Sequence, residues 1–153
     1  MQPYLLSPED RIRHWKEYRL SLDDTMNDME QLLNTMHYWN QYPIINRYID
    51  PYSPETWPTS WEMIYANEYC KSSLAFLMEQ TLLLGFDNRW TVDRLKMFYI
   101  DDTALSDAFI VLVIDNKHVL NYDQDQIINL DSIVKTCIIR HEYLLEDSKH
   151  III

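Results

Sequence analysis

The apolar positions change period along the chain, and the changes mark out its elements. Between residues 7 and 41 they recur at three- and four-residue spacing: Ile12, Trp15, Tyr18 and Leu22 form one stripe, and Met26, Met29, Leu32, Leu33 and Met36 a second. That is the spacing of a helix face. Ser7-Pro8-Glu9-Asp10 reads as a helix start, because the hydroxyl accepts from free backbone N–H groups, proline fits the first turn and acids suit the positive end of the dipole. A second cap is expected at Ser21, with Asp24 three residues on. The pattern leaves one bent helix and two separate helices both open.

Prolines at 43, 51, 54 and 58 then exclude regular helix between 42 and 59. Tyr42, Tyr48, Tyr52 and Trp57 make this connector aromatic, so it is expected to pack along the body. Ser60 is predicted to cap a short helix through Trp61, Met63 and Ile64, and Asn67-Glu68-Tyr69 to form the turn that follows. From Lys71 to Leu84 the chain carries Leu74, Leu77, Met78, Thr81, Leu82 and Leu84, a helix that Gly85 is expected to end in the left-handed conformation.

Beyond Gly85 the period falls to two. Arg94 to Ile100 predicts a strand, Asp101-Asp102-Thr103 a turn, and Ala108 to Ile114 a strand buried on both faces. Asp115-Asn116-Lys117 predicts a tight hairpin whose return strand, His118 to Tyr122, sets His118 beside Ile114. Ile127 to Ile139 fits helix or strand, and Ile151-Ile152-Ile153 fits an edge strand. The expected architecture is a single α+β domain, with a helical N-terminal arm (1–41), a proline and aromatic connector (42–59) and a body (60–153). In the body a central cysteine-bearing helix packs on a small antiparallel β-sheet.

Composition narrows the function. At 153 residues and 47% hydrophobic the chain fills a real core. Thirteen Lys and Arg against 24 Asp and Glu give a net charge of -11, which repels a phosphate backbone and argues against nucleic acid. The apolar runs are shorter than a membrane span, and the first residues lack the basic start and apolar stretch of a signal peptide, so no membrane association or secretion is expected. A single glycine excludes glycine-rich phosphate loops and the dinucleotide fingerprint. Cys70 and Cys137 are expected to be reduced. Cys137 and His141 would share a helix face but lack a second ligand pair. Asp123-Gln124-Asp125 starts like a calcium loop that Ile127 and Ile128 then break. No cofactor, metal or small-molecule ligand is expected.

The candidate chemistry lies between Cys70 and Asp123. A cysteine opens the apolar helix, the central strand begins near Asp107-Ala108-Phe109, and the return strand ends in Leu120-Asn121-Tyr122-Asp123. This order resembles the transglutaminase-like branch of the papain-type cysteine enzymes. There a nucleophilic cysteine sits at a helix N-terminus, a histidine followed by a small and an aromatic residue starts one strand, and an aspartate closes the next. The resemblance sets Cys70 at the nucleophile and Asp123 at the aspartate, with Asp107 where the histidine belongs. A helix N-terminus favours a thiolate. A carboxylate, however, cannot take and return the thiol proton as an imidazole does, and its charge opposes the thiolate. The resemblance implies the fold and, at Asp107, argues against the reaction.

Trp57-Pro58-Thr59-Ser60-Trp61-Glu62 is expected to pack over the start of the cysteine helix and cover the cleft. With the aromatic N-terminal helix and the Glu68-Tyr69-Cys70 start, this element also resembles small proteins of tailed bacteriophages, which implies a place in the virion (neck, tail or baseplate) or the host cytoplasm. Two functions stay open. One is a noncatalytic structural or assembly protein, with no catalytic residues, that joins a homo- or hetero-oligomeric assembly through its Met- and Trp-rich helices and terminal isoleucines. The other is a cysteine-dependent amidase, peptidase or transglutaminase that uses Cys70 with a nonstandard base.

Overall fold

Local capping decides where the helices of the N-terminal half begin. The computed structural model describes residues 2–45 and 48–143. Helix α1 (Pro8–Leu20) starts where the Ser7 hydroxyl accepts from the Asp10 N–H at 3.2 Å. The arm is two helices rather than one: Ser21 ends α1, and α2 (Asp28–Asn40) is started by a reciprocal pair in which Asn27 accepts from the Glu30 N–H and Glu30 from the Asn27 N–H. The expected cap at Ser21 is thus displaced to Asn27, because the Asp23 carboxylate holds the intervening turn through Thr25. Helix α3 (Ser60–Ala66) is capped in the same reciprocal way by Thr59 and Glu62, one residue before the expected Ser60, and ends at Asn67 in the left-handed region.

Helix α4 (Lys71–Leu83) is buried on all sides, with every residue from Ser73 to Leu82 inside. A helix of that kind needs cover in every direction. Gly85 does not supply the left-handed residue expected of it, for no glycine has positive φ and α4 closes at Leu84 with φ -97°. It serves a close approach instead: a Cβ there would stand 3.2 Å from the Leu82 carbonyl oxygen and 3.3 Å from Leu22 Cδ1.

The sheet is antiparallel throughout, in the order β4-β3-β2-β1-β5. Strand β1 (Leu95–Asp102) pairs with β2 (Asp107–Ile114) along its full length, and β2 turns at Asp115 and Asn116, both near φ 54°, into β3 (His118–Leu120). His118 stands opposite Ile114 at that turn. The ambiguous stretch resolves into three pieces: β4 (Ile128–Asn129), α5 (Leu130–Thr136) and β5 (Cys137–Tyr143). Cys137 and His141 are therefore strand residues and share no helix face. Ile151, Ile152 and Ile153 lie outside the described residues.

Alternation along β2 sends Ile110, Leu112 and Ile114 to the α4 side and Phe109, Val111 and Val113 to a smaller core closed by Ile133 of α5. Over α4, the indoles of Trp15 and Trp39 both donate to the Thr81 hydroxyl at 2.9 Å, and Thr81 donates to the Leu77 carbonyl. The Trp and Met residues of the arm thus face inward: Trp15, Met36 and Trp39 are fully buried, while Met29 and Leu33 remain exposed. The connector packs as expected through buried Tyr42, Ile49 and Trp57.

Glu79 lies in the middle of α4, buried, with Oε1 lacking a hydrogen-bond partner. Burial pushes its carboxyl from 4.5 up to about 8, so the folded protein holds it protonated. The unfolded chain ionises it at lower pH, so folding stability is full below 4.5 and declines as pH rises towards 8. We expect a loss of about 1.4 kcal/mol per pH unit across that interval, measured by urea unfolding, and a flat profile there for Glu79→Gln.

Candidate functional site at the start of helix α4

Strand β3 stops after three residues because Asn121 turns into the left-handed region at φ 73°. The backbone of Ile110 on β2 is left facing the first turn of α4, and two side chains take it over. Ser72 Oγ accepts the Ile110 N–H at 3.0 Å, while Asn121 Nδ2 donates to the Ile110 carbonyl at 2.9 Å and to the Lys71 carbonyl at 2.8 Å. The helix start is thereby fixed against the middle of the sheet.

Cys70 is the N-cap of α4, with extended backbone. Its Sγ accepts from the Ser73 N–H at 3.4 Å, and Ser73 Oγ accepts the Cys70 N–H at 2.9 Å. The thiol is half-buried and packs against the larger core, which α4, the N-terminal helices and the inner face of the sheet share. It acts here as a serine or asparagine does at other helix starts, accepting an otherwise free N–H.

The next residue faces the sheet. Lys71 is half-buried, and its Nζ lies 3.6 Å from the centre of the Phe109 ring, a cation–π contact. Burial lowers the Lys71 pKa, and the charges of Asp107, Asp102 and Asp123 oppose that shift. The charges of both sequence-matched carboxylates thus act on Lys71. Asp107 is exposed at the start of β2, with Oδ1 accepting from the Ala108 N–H; Asp123 Oδ1 accepts from the N–H groups of Asp125 and Gln126 and so closes its own loop. Asp102, opposite Asp107 in the β1–β2 ladder, is fully buried. The Tyr122 hydroxyl donates to it at 2.5 Å, and this bond, followed by those from the Leu105 and Ala104 N–H groups, holds its carboxyl below the usual range. The same bond pushes the Tyr122 hydroxyl up to about 12.

A cleft of about 380 Å³ opens beside this cluster, lined by Lys71, Leu74, Tyr42, Asn121, Tyr122 and Asp123 among others. Neither expected tryptophan covers it: Trp57 packs on Phe76 and Tyr143, and Trp61 on Trp15. Among the described residues no histidine hydrogen-bonds to Cys70, Lys71, Asp107 or Asp123; His118 stands at the hairpin turn, and His141 packs against Tyr52 and Tyr143. No group of three or more His, Cys, Asp or Glu among the described residues is arranged to hold a metal ion.

Lys71, Ser72 and Asn121 are the residues that sequence reading overlooked. One signal for Lys71 was present, since a lysine in the first turn of a helix opposes the dipole and needs another reason to be there. Replacing Asn121 by alanine removes both bridging hydrogen bonds, takes from the Ile110 carbonyl its side-chain donor and puts alanine at φ 73°, a conformation that asparagine tolerates better. We expect a loss of about 2 kcal/mol, read by urea unfolding, with Cys70→Ala costing less.

No family model matches the sequence, and no curated protein matches it. The structure does match solved structures of LapG from Legionella pneumophila. The calcium-bound form aligns with a TM-score of 0.69 and 17% identity over 90% of this chain and 84% of LapG. A second LapG structure aligns at 0.64 with 19% identity, covering 93% and 88%, and the EGTA-treated form at 0.62 with 20% identity, covering 84% and 77%. The chain shares the transglutaminase-like fold with these proteins.

Proposed function

We propose that the chain is a noncatalytic protein-binding scaffold on the transglutaminase-like fold. The observation that carries this reading is the arrangement at the start of α4: the thiol accepts a backbone N–H, and the ammonium of the next residue lies over the Phe109 ring, where the charges of Asp107, Asp102 and Asp123 act on it. Amide chemistry through cysteine needs an imidazole between thiolate and leaving group. Lys71 cannot act in that place as ammonium, having no lone pair to take a proton. It does neutralise part of the charge that Asp107, Asp102 and Asp123 place in one region, which favours holding the cluster together for recognition.

A second reading is favoured by the fold. LapG is a transglutaminase-like cysteine protease, and Cys70 keeps the helix-start position that such a nucleophile occupies. The likeness to LapG supports a cysteine-dependent amidase, peptidase or transglutaminase, whereas the residues around Lys71 support the scaffold.

Turnover distinguishes the two. Wild-type protein and Cys70→Ala are incubated with casein, and new α-amines, released ammonia and amine incorporation are followed. We expect wild type and variant to be indistinguishable from buffer in all three. Product from wild type that vanishes in Cys70→Ala and Cys70→Ser, with both variants folded, would establish the enzyme reading.

A further inference from the structure

The side-chain amide of Asn121 is satisfied on one side only. Both Nδ2 hydrogens are donated, to the Lys71 carbonyl at 2.8 Å and the Ile110 carbonyl at 2.9 Å. Two acceptors on that side fix the orientation of the amide, because the reverse would set oxygen against oxygen. Oδ1 is thereby turned away from both carbonyls, and it accepts no hydrogen bond among the described residues. Asn121 is only 5% exposed, yet Oδ1 is not sealed off from solvent, and the opening that Asn121 lines is the cleft of about 380 Å³. A side chain this buried ordinarily has its acceptor answered.

The rest of the lining defines what answers it. Asp123 Oδ1 accepts the N–H groups of Asp125 and Gln126, while Oδ2 accepts nothing among the described residues. The Tyr122 hydroxyl hydrogen is committed to Asp102. The Lys71 ammonium lies 3.6 Å from the centre of the Phe109 ring, and that ring is 6.1 Å from the Tyr122 ring in the cleft wall. A ligand that satisfies Asn121, Asp123 and Lys71 together presents two donors and one acceptor. It is also neutral, because an anion meets the carboxylate and a cation the ammonium. Neutral donors are hydroxyls and amides, and a hydroxyl donates and accepts through one atom. A carboxamide has the same count of groups but fills a small part of a cleft of this size, whereas a saccharide ring also lays its C–H face on the wall made by Tyr42 and Leu74.

We propose that the cleft binds a neutral saccharide, with neighbouring ring hydroxyls donating to Asn121 Oδ1 and Asp123 Oδ2 and accepting from Lys71 Nζ, and the ring's C–H face against Tyr42 and Leu74. Composition shows no sign of a small-molecule ligand because the acceptor that calls for one is made by folding: the left-handed backbone at φ 73° and two carbonyls distant in sequence aim the Asn121 amide. The inference goes beyond the scaffold reading and asks nothing of the Cys70 thiol; no bond is made or broken.

The test titrates the ¹⁵N-labelled full chain with maltose, cellobiose and lactose and follows the side-chain amide resonance of Asn121. We expect at least one of the three to shift that resonance saturably. Its affinity should fall about fivefold in Lys71→Met and in Asp123→Ala, both of which leave the Asn121 hydrogen bonds in place, and should be unchanged in Asp24→Asn, on an exposed residue elsewhere. No saturable shift from any of the three sugars overturns the proposal, as does a shift that persists undiminished in both cleft variants. Tighter binding of propionamide than of every sugar also overturns it, in favour of a carboxamide ligand. The casein assay reads the scaffold proposal separately, and none of these outcomes alters it.

Discussion

A helix with apolar residues on every side cannot stand at a surface, and the rest of the molecule is arranged to cover α4, buried from Ser73 to Leu82. The sheet covers one side through Ile110, Leu112 and Ile114, and α1, α2 and α3 cover the other. The Thr81 hydroxyl is the polar point of that cover, accepting both Trp15 and Trp39 indoles deep in the core. Two donors that would otherwise be buried without partners are satisfied by one acceptor, and the arm becomes part of the body. Without it, α4 would expose the face that carries Leu74, Leu77 and Met78.

The position of the cleft follows from the same constraint. Because α4 is gripped along its length, its first turn has a fixed height on the sheet, and Ser72 and Asn121 lock it to Ile110. The short β3 is what makes the opening: had it continued, its backbone would have occupied the place that Lys71, Tyr122 and the water-accessible cleft now share. Cys70 and Lys71 are neighbours in sequence with different contacts: the thiol accepts the Ser73 N–H, and the ammonium lies over the Phe109 ring. The contacts of Lys71, together with an aspartate at 107 where the resemblance places a histidine, are the ground of the scaffold proposal.

Much of the fold was legible in the sequence. The change from helical spacing to alternation at Gly85 separated the layers, the Asp115-Asn116-Lys117 turn gave the β2–β3 register, and the order Cys70, Asp107, Asp123 pointed to a transglutaminase-like arrangement. What stayed hidden depended on contacts between distant residues. Asn27 rather than Ser21 starts α2 because the turn at Asp23 consumes the residues between, and Gly85 is required by the approach of Leu22 rather than by its own backbone angle. The stretch from Ile127 to Tyr143 divides into strand, helix and strand because Ile133 closes the second core while Cys137 onward pairs with β1. At the candidate site, motif order drew attention to Asp107 and Asp123 but not to Lys71, on which their charges act, since spacing does not say where a lysine in the first turn of a helix will lie.

The most direct measurement is of the Lys71 ammonium itself. In ¹⁵N-labelled protein, the Nζ resonance of Lys71 is titrated in wild type, Asp107→Asn and Asp123→Asn. The account predicts that each neutralised carboxylate lowers the Lys71 pKa, because a charge that favours the ammonium has been removed. A Lys71 titration indifferent to both substitutions would contradict it.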